Sequence, residues 1–509
     1  MLLRIETRMI IQVLMFLPLF LSLAGGVVFF TSRIRQYAGY VSEVFTLITS
    51  LFLFIASLYL LSVGANELPM KFKVLHVIDI YVDHLSIFFI LLVNLVTLVA
   101  SWNGVSYLQF VDPIDKWQEP IAFHILVNFF HATMLWVSLI DNLIGVWIAV
   151  ELTTLGSAFL IAYPRQPSSW EATWKYLIIT STGIVSALLG TVFLAQAVPH
   201  GNMNWSFIIQ ENLVGQLDPI SVKTAFLFAV LGYGTKAGLA PMHTWLPDGH
   251  GEAPHPISAL LSGVLLKSAV YVILRFYTIT SAVVGTQWAS NILIMAGTLS
   301  LLMAAPLILK NNPFKRVLAY HSLEHMGIIL LGLGMGTPIA MFGALLHMLN
   351  HAIVKALMFI GFGNVVNQYK QHGIEQSKIT GVWHNMPITA GILVLGGLAL
   401  VGMPPFNIFL SEFLILWGTF YKPTRLSINK SIAIVILISS IILVFYGLIQ
   451  HLGQLMLGTT QDGLSMRDIG WNETGPLILL FLLMLTLGIW IAPPLADLLK
   501  ESVSIISTS

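Results

Sequence analysis

Cysteine is absent from the 509 residues of this chain. Without thiols it can hold no disulfide, no thiolate-bound zinc, and no iron–sulfur or nickel–iron centre of its own. Charge is scarce as well. Asp, Glu, Lys and Arg make up 9% of the sequence, against about 25% in an average soluble domain. Hydrophobic residues make up 57% and the mean hydropathy is +0.85, so the chain is not a soluble domain. A net charge of +1 argues against nucleic acid or any other strongly charged partner. No A-x-A cleavage site follows the first apolar run behind Arg4 and Arg8, and that run reads as a first span, not a signal peptide. A nucleotide-binding loop and an HExxH metal pair are also missing.

What is present is apolar length. Runs lie near 9–30, 44–64, 78–108, 121–140, 142–162, 171–198 and 222–245. Others follow near 256–284, 288–309, 317–336, 338–366, 386–420, 431–457 and 475–497. Windows of roughly 20 residues turn these into about fourteen transmembrane helices, an all-α membrane protein. Residues 1–509 read as one polytopic membrane domain, embedded in lipid, with short connections. A surface turn or short interfacial helix is expected at Asn367 to Lys378. Lys and Arg are spread over alternate loops, which leaves the orientation open.

Against this background single charges stand out. Lys236 lies inside an apolar segment, flanked by Gly234 and Gly238 and followed by Pro241. A charge at that depth costs roughly 2.5–3.5 kcal/mol on insertion scales and is usually kept for function. Proline removes a backbone donor, so the helix should break beside the lysine. The run at 386–420 repeats the pattern, with Gly402, Pro404 and Pro405 ahead of Glu412. Two interrupted segments in corresponding halves point to a repeat-built transporter with a midplane site.

Further ionisable residues fall at helical spacing. Glu151 is an isolated carboxylate in an apolar run, and a fixed structural ion pair is the plainer account of it. Lys267 lies too far inside its run to snorkel easily. His347, His351 and Lys355 are four apart, a titratable stripe about 12 Å long on one helix face. His321 and His325, with Glu324 between them, repeat the step one span earlier. Imidazole gives and takes protons near neutrality, as a relay requires. A metal site would need three or four convergent ligands, and none is expected. Between the Lys236 and Lys267 spans, His243, Asp248, His250, Glu252 and His255 crowd a proline-rich stretch. It reads as an access vestibule or as an exposed cap.

The string Lys236-Ala-Gly-Leu-Ala-Pro-Met-His-Thr-Trp-Leu-Pro-Asp-Gly-His-Gly-Glu-Ala-Pro254 resembles the signature of the antiporter-like subunits. This family is shared by complex I, Mrp-type cation/proton antiporters and membrane-bound hydrogenases. Ser157-Ala-Phe-Leu160, Ala172-Thr-Trp-Lys-Tyr176, Leu318-Ala-Tyr-His-Ser322, Met403 to Phe413 and Asp468-Ile-Gly-Trp471 look closest to the hydrogenase-4 branch. That branch comprises energy-converting nickel–iron hydrogenases of the formate hydrogenlyase type. The resemblance implies two inverted five-helix repeats, at 121–284 and 288–457, each with a broken helix. By position it makes Glu151 and Lys236 a coupled pair, Lys267 and Lys355 relay lysines, and Glu412 the terminal group. It also implies a prokaryotic cytoplasmic membrane and partner subunits, membrane and peripheral, that carry iron–sulfur clusters and nickel–iron. A stand-alone antiporter or an ion or inorganic-carbon uptake subunit, with no redox partner, is the alternative.

Overall fold

The computed structural model describes residues 2–30, 35–62, 67–110, 118–421, 427–458 and 470–507. Asp468 and Ile469, part of one family-like stretch, lie outside them. The chain starts with α1 (Leu2–Phe30) and α2 (Arg35–Ser62) and then turns through an antiparallel hairpin. Its strands, β1 (Met70–Val74) and β2 (Ile78–Val82), pair with Met70 opposite Val82. The apolar run expected at 78–108 is therefore a strand followed by a span. Its first residues pair laterally, and α3 (His84–Phe110) begins only after Asp83.

Next come α4 (Gln118–Leu139), α5 (Leu143–Ile161) and α6 (Pro167–Ala197). Asn142 caps α5, its side chain accepting from the Ile144 and Gly145 amides at 3.0 and 3.2 Å. Two short helices, α7 (Trp205–Ile208) and α8 (Glu211–Val214), lead to α9 (Pro219–Lys236), which Asp218 caps. Then follow α10 (Trp245–Glu252), α11 (His255–Leu260), a π-helical turn at Leu261–Leu265, and α12 (Leu266–Val284). The prolines of this stretch do not prevent helix. Pro247 and Pro256 sit in first turns, where no intrahelical amide bond is lost.

The second half contains α13 (Thr286–Leu309), α14 (Phe314–Gly334) and α15 (Pro338–Gln371). The stretch at 367–378 is partly the end of α15 and partly a 3-10 turn, Gln376–Lys378. A short α16 (Val382–Asn385) precedes α17 (Pro387–Leu400) and α18 (Asn407–Phe420). The chain goes on through α19 (Ile428–Leu457), α20 (Trp471–Ile489) and the amphipathic α21 (Pro493–Ser507). Among the described residues, 12 helices are long and apolar enough to cross a membrane. The two other expected crossings are the broken pairs α9/α10 and α17/α18.

The helices form two shells. The spanning windows of α11–α12, α14 and α15 are completely buried, and α3 nearly so. Those of α1, α2, α6, α19 and α20 are buried over only 33–39% of their residues, as lipid-facing helices are. On the face that carries the hairpin, Asp83 and Arg275 form a buried bidentate pair with both contacts at 2.8 Å. Ser86 and Tyr271 bond the same guanidinium, and Trp205 lies 3.8 Å beneath it.

Candidate functional site

Lys236 is the last residue of α9, and its ammonium is completely buried. The chain leaves the helix at Gly238, whose φ of +73° suits glycine, and resumes at α10. A lysine at a helix C-terminus complements the dipole there. Its Nζ donates to Thr154 Oγ1 at 2.7 Å and to the Tyr176 hydroxyl at 2.6 Å. Thr154 also lies 3.4 Å from Glu151 Oε2, while Ser181 bonds Oε1 at 2.9 Å. The expected carboxylate–lysine couple is thus bridged by a threonine and makes no direct ion pair. Glu151 itself is only partly buried.

Lys267 follows the π turn. The carbonyl of Ser262, within that turn, accepts from Lys267 Nζ at 2.5 Å. The same nitrogen lies 2.6 Å from His351 Nδ1. His325 Nδ1 and His347 Nε2 are 2.9 Å apart, and His347 Nδ1 is 2.9 Å from Ser411 Oγ. The His325 and His351 rings lie 4.6 Å apart, centre to centre.

This network assigns the tautomers. Ser411 gives its hydroxyl hydrogen to the Ile408 carbonyl at 2.8 Å, so it accepts from His347 Nδ1–H. His347 Nε2 is then bare and accepts from His325 Nδ1–H. His351 Nδ1 accepts from Lys267, which puts its hydrogen on Nε2. That leaves a donor on His351 Nε2 and a bare His325 Nε2, and neither atom has a hydrogen-bond partner. The bonds run in one direction within two segments, from Lys267 to His351 and from His325 through His347 to Ser411, with no hydrogen bond between the His351 and His325 rings.

Glu412 lies at the end of the file. One of its oxygens, with a nitrogen each from His325 and His347, falls in a cluster of atoms all within 4.8 Å of one another. The second break places it there: Gly402 has φ +69°, and Glu412 Oε2 is packed where a Cβ would be. His321 Nδ1 meets Glu324 at 3.2 Å, and His321, Glu324 and His325 form a second such cluster. Both clusters have ligand-type atoms at cation-binding spacing; in the one with Glu412, both nitrogens of His347 are already hydrogen-bonded. Lys355 donates to the Leu318 carbonyl and lies 5.0 Å from the Phe359 ring centre.

The two halves meet across aromatic rings. Lys236 lies 4.9 Å from the Tyr176 ring centre, and Tyr176 is 4.9 Å from Trp245. Beyond Trp245 come His250 at 6.1 Å and then Phe359 at 5.6 Å, the ring beside Lys355. His250 is fully buried and neither of its nitrogens has a protein partner. It therefore stands apart from its sequence neighbours. Asp248 is a surface group, held by Lys175 at 3.1 Å and Arg316 at 2.9 Å, and Glu252 bonds Ser168. His243 is buried close to Pro241. Sequence reasoning missed Thr154, Tyr176, Ser262 and Ser411, hydroxyl or backbone partners that no charge pattern marks.

Residues 141–442 match the family model described as NADH:quinone oxidoreductase/Mrp antiporter, TM. The hydrogenase-4 component F homolog of Methylacidiphilum infernorum (isolate V4) is 34% identical, over 82% of this chain and 86% of its own length. In solved structures, a chain of the membrane-bound sulfane sulfur reductase, an archaeal respiratory membrane complex, superposes with TM-score 0.82 at 22% identity. That match covers 98% of this chain and 97% of the other. A chain of the Mrp complex from Dietzia sp. DQ12-45-1b gives TM-score 0.80 at 17% identity over the same shares. The fold, the buried lysine–histidine axis and these matches agree: the chain belongs to the NADH:quinone oxidoreductase/Mrp antiporter transmembrane family, as an antiporter-like membrane subunit related to hydrogenase-4.

Proposed function

We propose that this subunit moves protons along its buried axis, within an energy-converting hydrogenase or complex I-like assembly of a prokaryotic cytoplasmic membrane. The observation that carries this reading is the buried row of Lys267, His351, His325 and His347 with Glu412 beside it, hydrogen-bonded from Lys267 to His351 and from His325 through His347 to Ser411. Each bonded segment passes a proton by bond shifts, and transfer from His351 to His325, whose rings lie 4.6 Å apart, takes a small ring rotation or one bridging water. Glu151 acts on Lys236 through Thr154. An approaching carboxylate favours the charged form of a buried amine, and its withdrawal favours the neutral form. His250 is the titratable group between the Lys236 half and the Lys355 half, and it connects them. Moving one proton against the membrane potential takes about 2.3 kcal/mol per 100 mV, a scale that a rearranged buried ion pair matches.

The two breaks support an arrangement of inverted repeats at 121–284 and 288–457, since each joins a left-handed glycine to a resumed half-helix beside an ionisable group. Iron–sulfur and nickel–iron centres belong to partner subunits, because this chain has no cysteine to hold them. The test is reconstitution of the purified complex in vesicles. Lys236→Ala and Glu151→Gln are expected to assemble normally and to lower coupled proton transport about tenfold or more. Normal pumping by either variant would show that the axis is misplaced. Purification without metalloprotein partners would instead favour the stand-alone antiporter.

A further inference from the structure

Four lysines lie buried among the described residues, and the relay uses three of them. The fourth, Lys315, is 4% exposed and is the second residue of α14. A lysine at the end of a span ordinarily runs its stem outward and keeps its ammonium in water. Lys315 does the reverse. Its Nζ donates to the Ala253 carbonyl at 2.5 Å, and among the described residues it has no ion-pair partner. Two electrostatic terms oppose this placement. The dipole of α14 disfavours a cation in its first turn. A buried ammonium without a carboxylate also lacks the compensation that Asp83 gives Arg275.

Lys315 lies at the membrane face opposite the hairpin. Helix α5 begins at the hairpin, where the Asp141 amide donates to the Asp79 carbonyl at 2.9 Å, and it ends at Ile161. Ser168, just beyond that end, bonds Glu252 at 2.8 Å. Asp248, Glu252 and Arg316 form a partly exposed charged rim there. Ala253 follows Glu252 directly, so the Lys315 ammonium is held just below the rim. On the inner side, Ser258 Oγ lies 3.3 Å from the same Ala253 carbonyl and donates to the His250 carbonyl at 2.9 Å. One hydroxyl thus ties the carbonyl that holds Lys315 to the residue that joins the two halves of the axis. Both nitrogens of His250 and Nδ1 of His255 are without partners. Lys315 Nζ has three hydrogens and spends one. Ammonium hydrogens and imidazole nitrogens are both left over beneath the rim.

We infer that Lys315 exchanges protons between the axis and the water at this face, an inference that rests on the relay reading above. An ammonium N–H of Lys315 gives its proton, across a water, to a bare nitrogen of His250. A neutral amine and an imidazolium result. The amine is reloaded from the rim, and nothing but the proton is transferred. For transport in the other direction the same steps run in reverse. The missing counter-ion permits this, since no ion pair has to break when the amine becomes neutral.

The test uses the intact complex reconstituted in vesicles. Lys315→Arg keeps the charge and a donor for Ala253 but does not release its proton. Coupled proton transport is expected to fall about tenfold or more, with a melting temperature within a few degrees of wild type. Lys315→Gln keeps a neutral donor and should lose transport equally; it decides the matter if the arginine variant does not assemble. Lys315→His restores a group that gives and takes protons and should regain part of the transport. Free imidazole titrates near about 6.5, so the optimum for pH on the α10 side should move towards acid, a shift that a purely structural lysine would not produce. Wild-type transport in Lys315→Arg or Lys315→Gln, or an unmoved optimum in Lys315→His, would reduce Lys315 to a clasp on the turn and overturn the assignment. Lys236→Ala is measured alongside. If it pumps normally, the relay itself fails; if it is inactive while Lys315→Arg pumps normally, only the role of Lys315 falls.

Discussion

The position of Glu412 depends on a residue with no side chain. Gly402 has a left-handed backbone, which costs other residues roughly 1–2 kcal/mol, and Glu412 Oε2 occupies the place of its missing Cβ. Gly402→Ala should therefore displace the carboxylate from His325 and His347. Proton transport is expected to fall as far as in Glu412→Gln, with a melting temperature lowered by only a few degrees. If Gly402→Ala pumps at the wild-type rate, Glu412 does not need this position. The sequence showed Glu412 and Gly402 because charge and glycine are conspicuous in an apolar run. It did not show that they touch. Thr154, Tyr176 and Ser411 were harder to see, since hydroxyls in membrane helices commonly bond their own backbone, as Ser411 does. Which of them also reaches a lysine or a histidine is a matter of tertiary packing.

At the scale of elements, a fully buried ion pair clasps the hairpin face, beside the more exposed pairs Lys71–Asp141 and Lys73–Asp79. Arg275 lies inside a span and carries the same sequence signal as the deep lysines, yet its partner is 192 residues away. No local pattern supplies such a partner. The hairpin was missed: Met70-Lys-Phe-Lys-Val74 alternates apolar and charged residues at the period of a strand, but the apolar run beside it obscures it. The π turn before Lys267 has no comparable signature. Burial alone would raise the Asp83 carboxyl, but the Arg275 guanidinium and the Ser86 hydrogen bonds outweigh it and hold the group below its ordinary value. A carboxyl depressed by folding contributes stability above its unfolded value, about 3.9, and loses that contribution as pH falls through the folded one. The clasp is thus fully formed at neutral pH. Arg275→Leu leaves a buried carboxylate unpaired and should cost about 3–5 kcal/mol. The deficit relative to wild type, measured by thermal unfolding in detergent, should shrink as pH falls, first as the unpaired buried Asp83 of the variant takes its proton above the ordinary carboxyl value and further below about pH 4 as the wild-type pair is lost. A deficit that does not change with pH would mean that Arg275 acts only by packing.

Across the whole molecule, the groups of the relay are unequally placed with respect to the bilayer. Lys267, the four histidines, Lys355 and Glu324 all sit on α12, α14 and α15, whose spanning windows have no exposed residue. The outer helices meet the hydrocarbon in their place. At 34 residues, or about 51 Å, α15 is longer than a hydrocarbon core of about 30 Å, and protein surrounds it over most of that length. Hydrophobic mismatch therefore acts on α1, α2, α6 and α19, which can tilt, and reaches the inner helices only at second hand. In vesicles made from short to long acyl chains, proton transport per complex should change by less than about twofold while the melting temperature follows bilayer thickness. A rate that follows thickness as closely as the melting temperature would place the relay in the lipid-facing shell. The inner helices hold their distances by contact with each other, and the file of Lys267, His351, His325 and His347 keeps its spacing when the solvent around the protein is exchanged for another: the outer helices make the subunit portable between membranes.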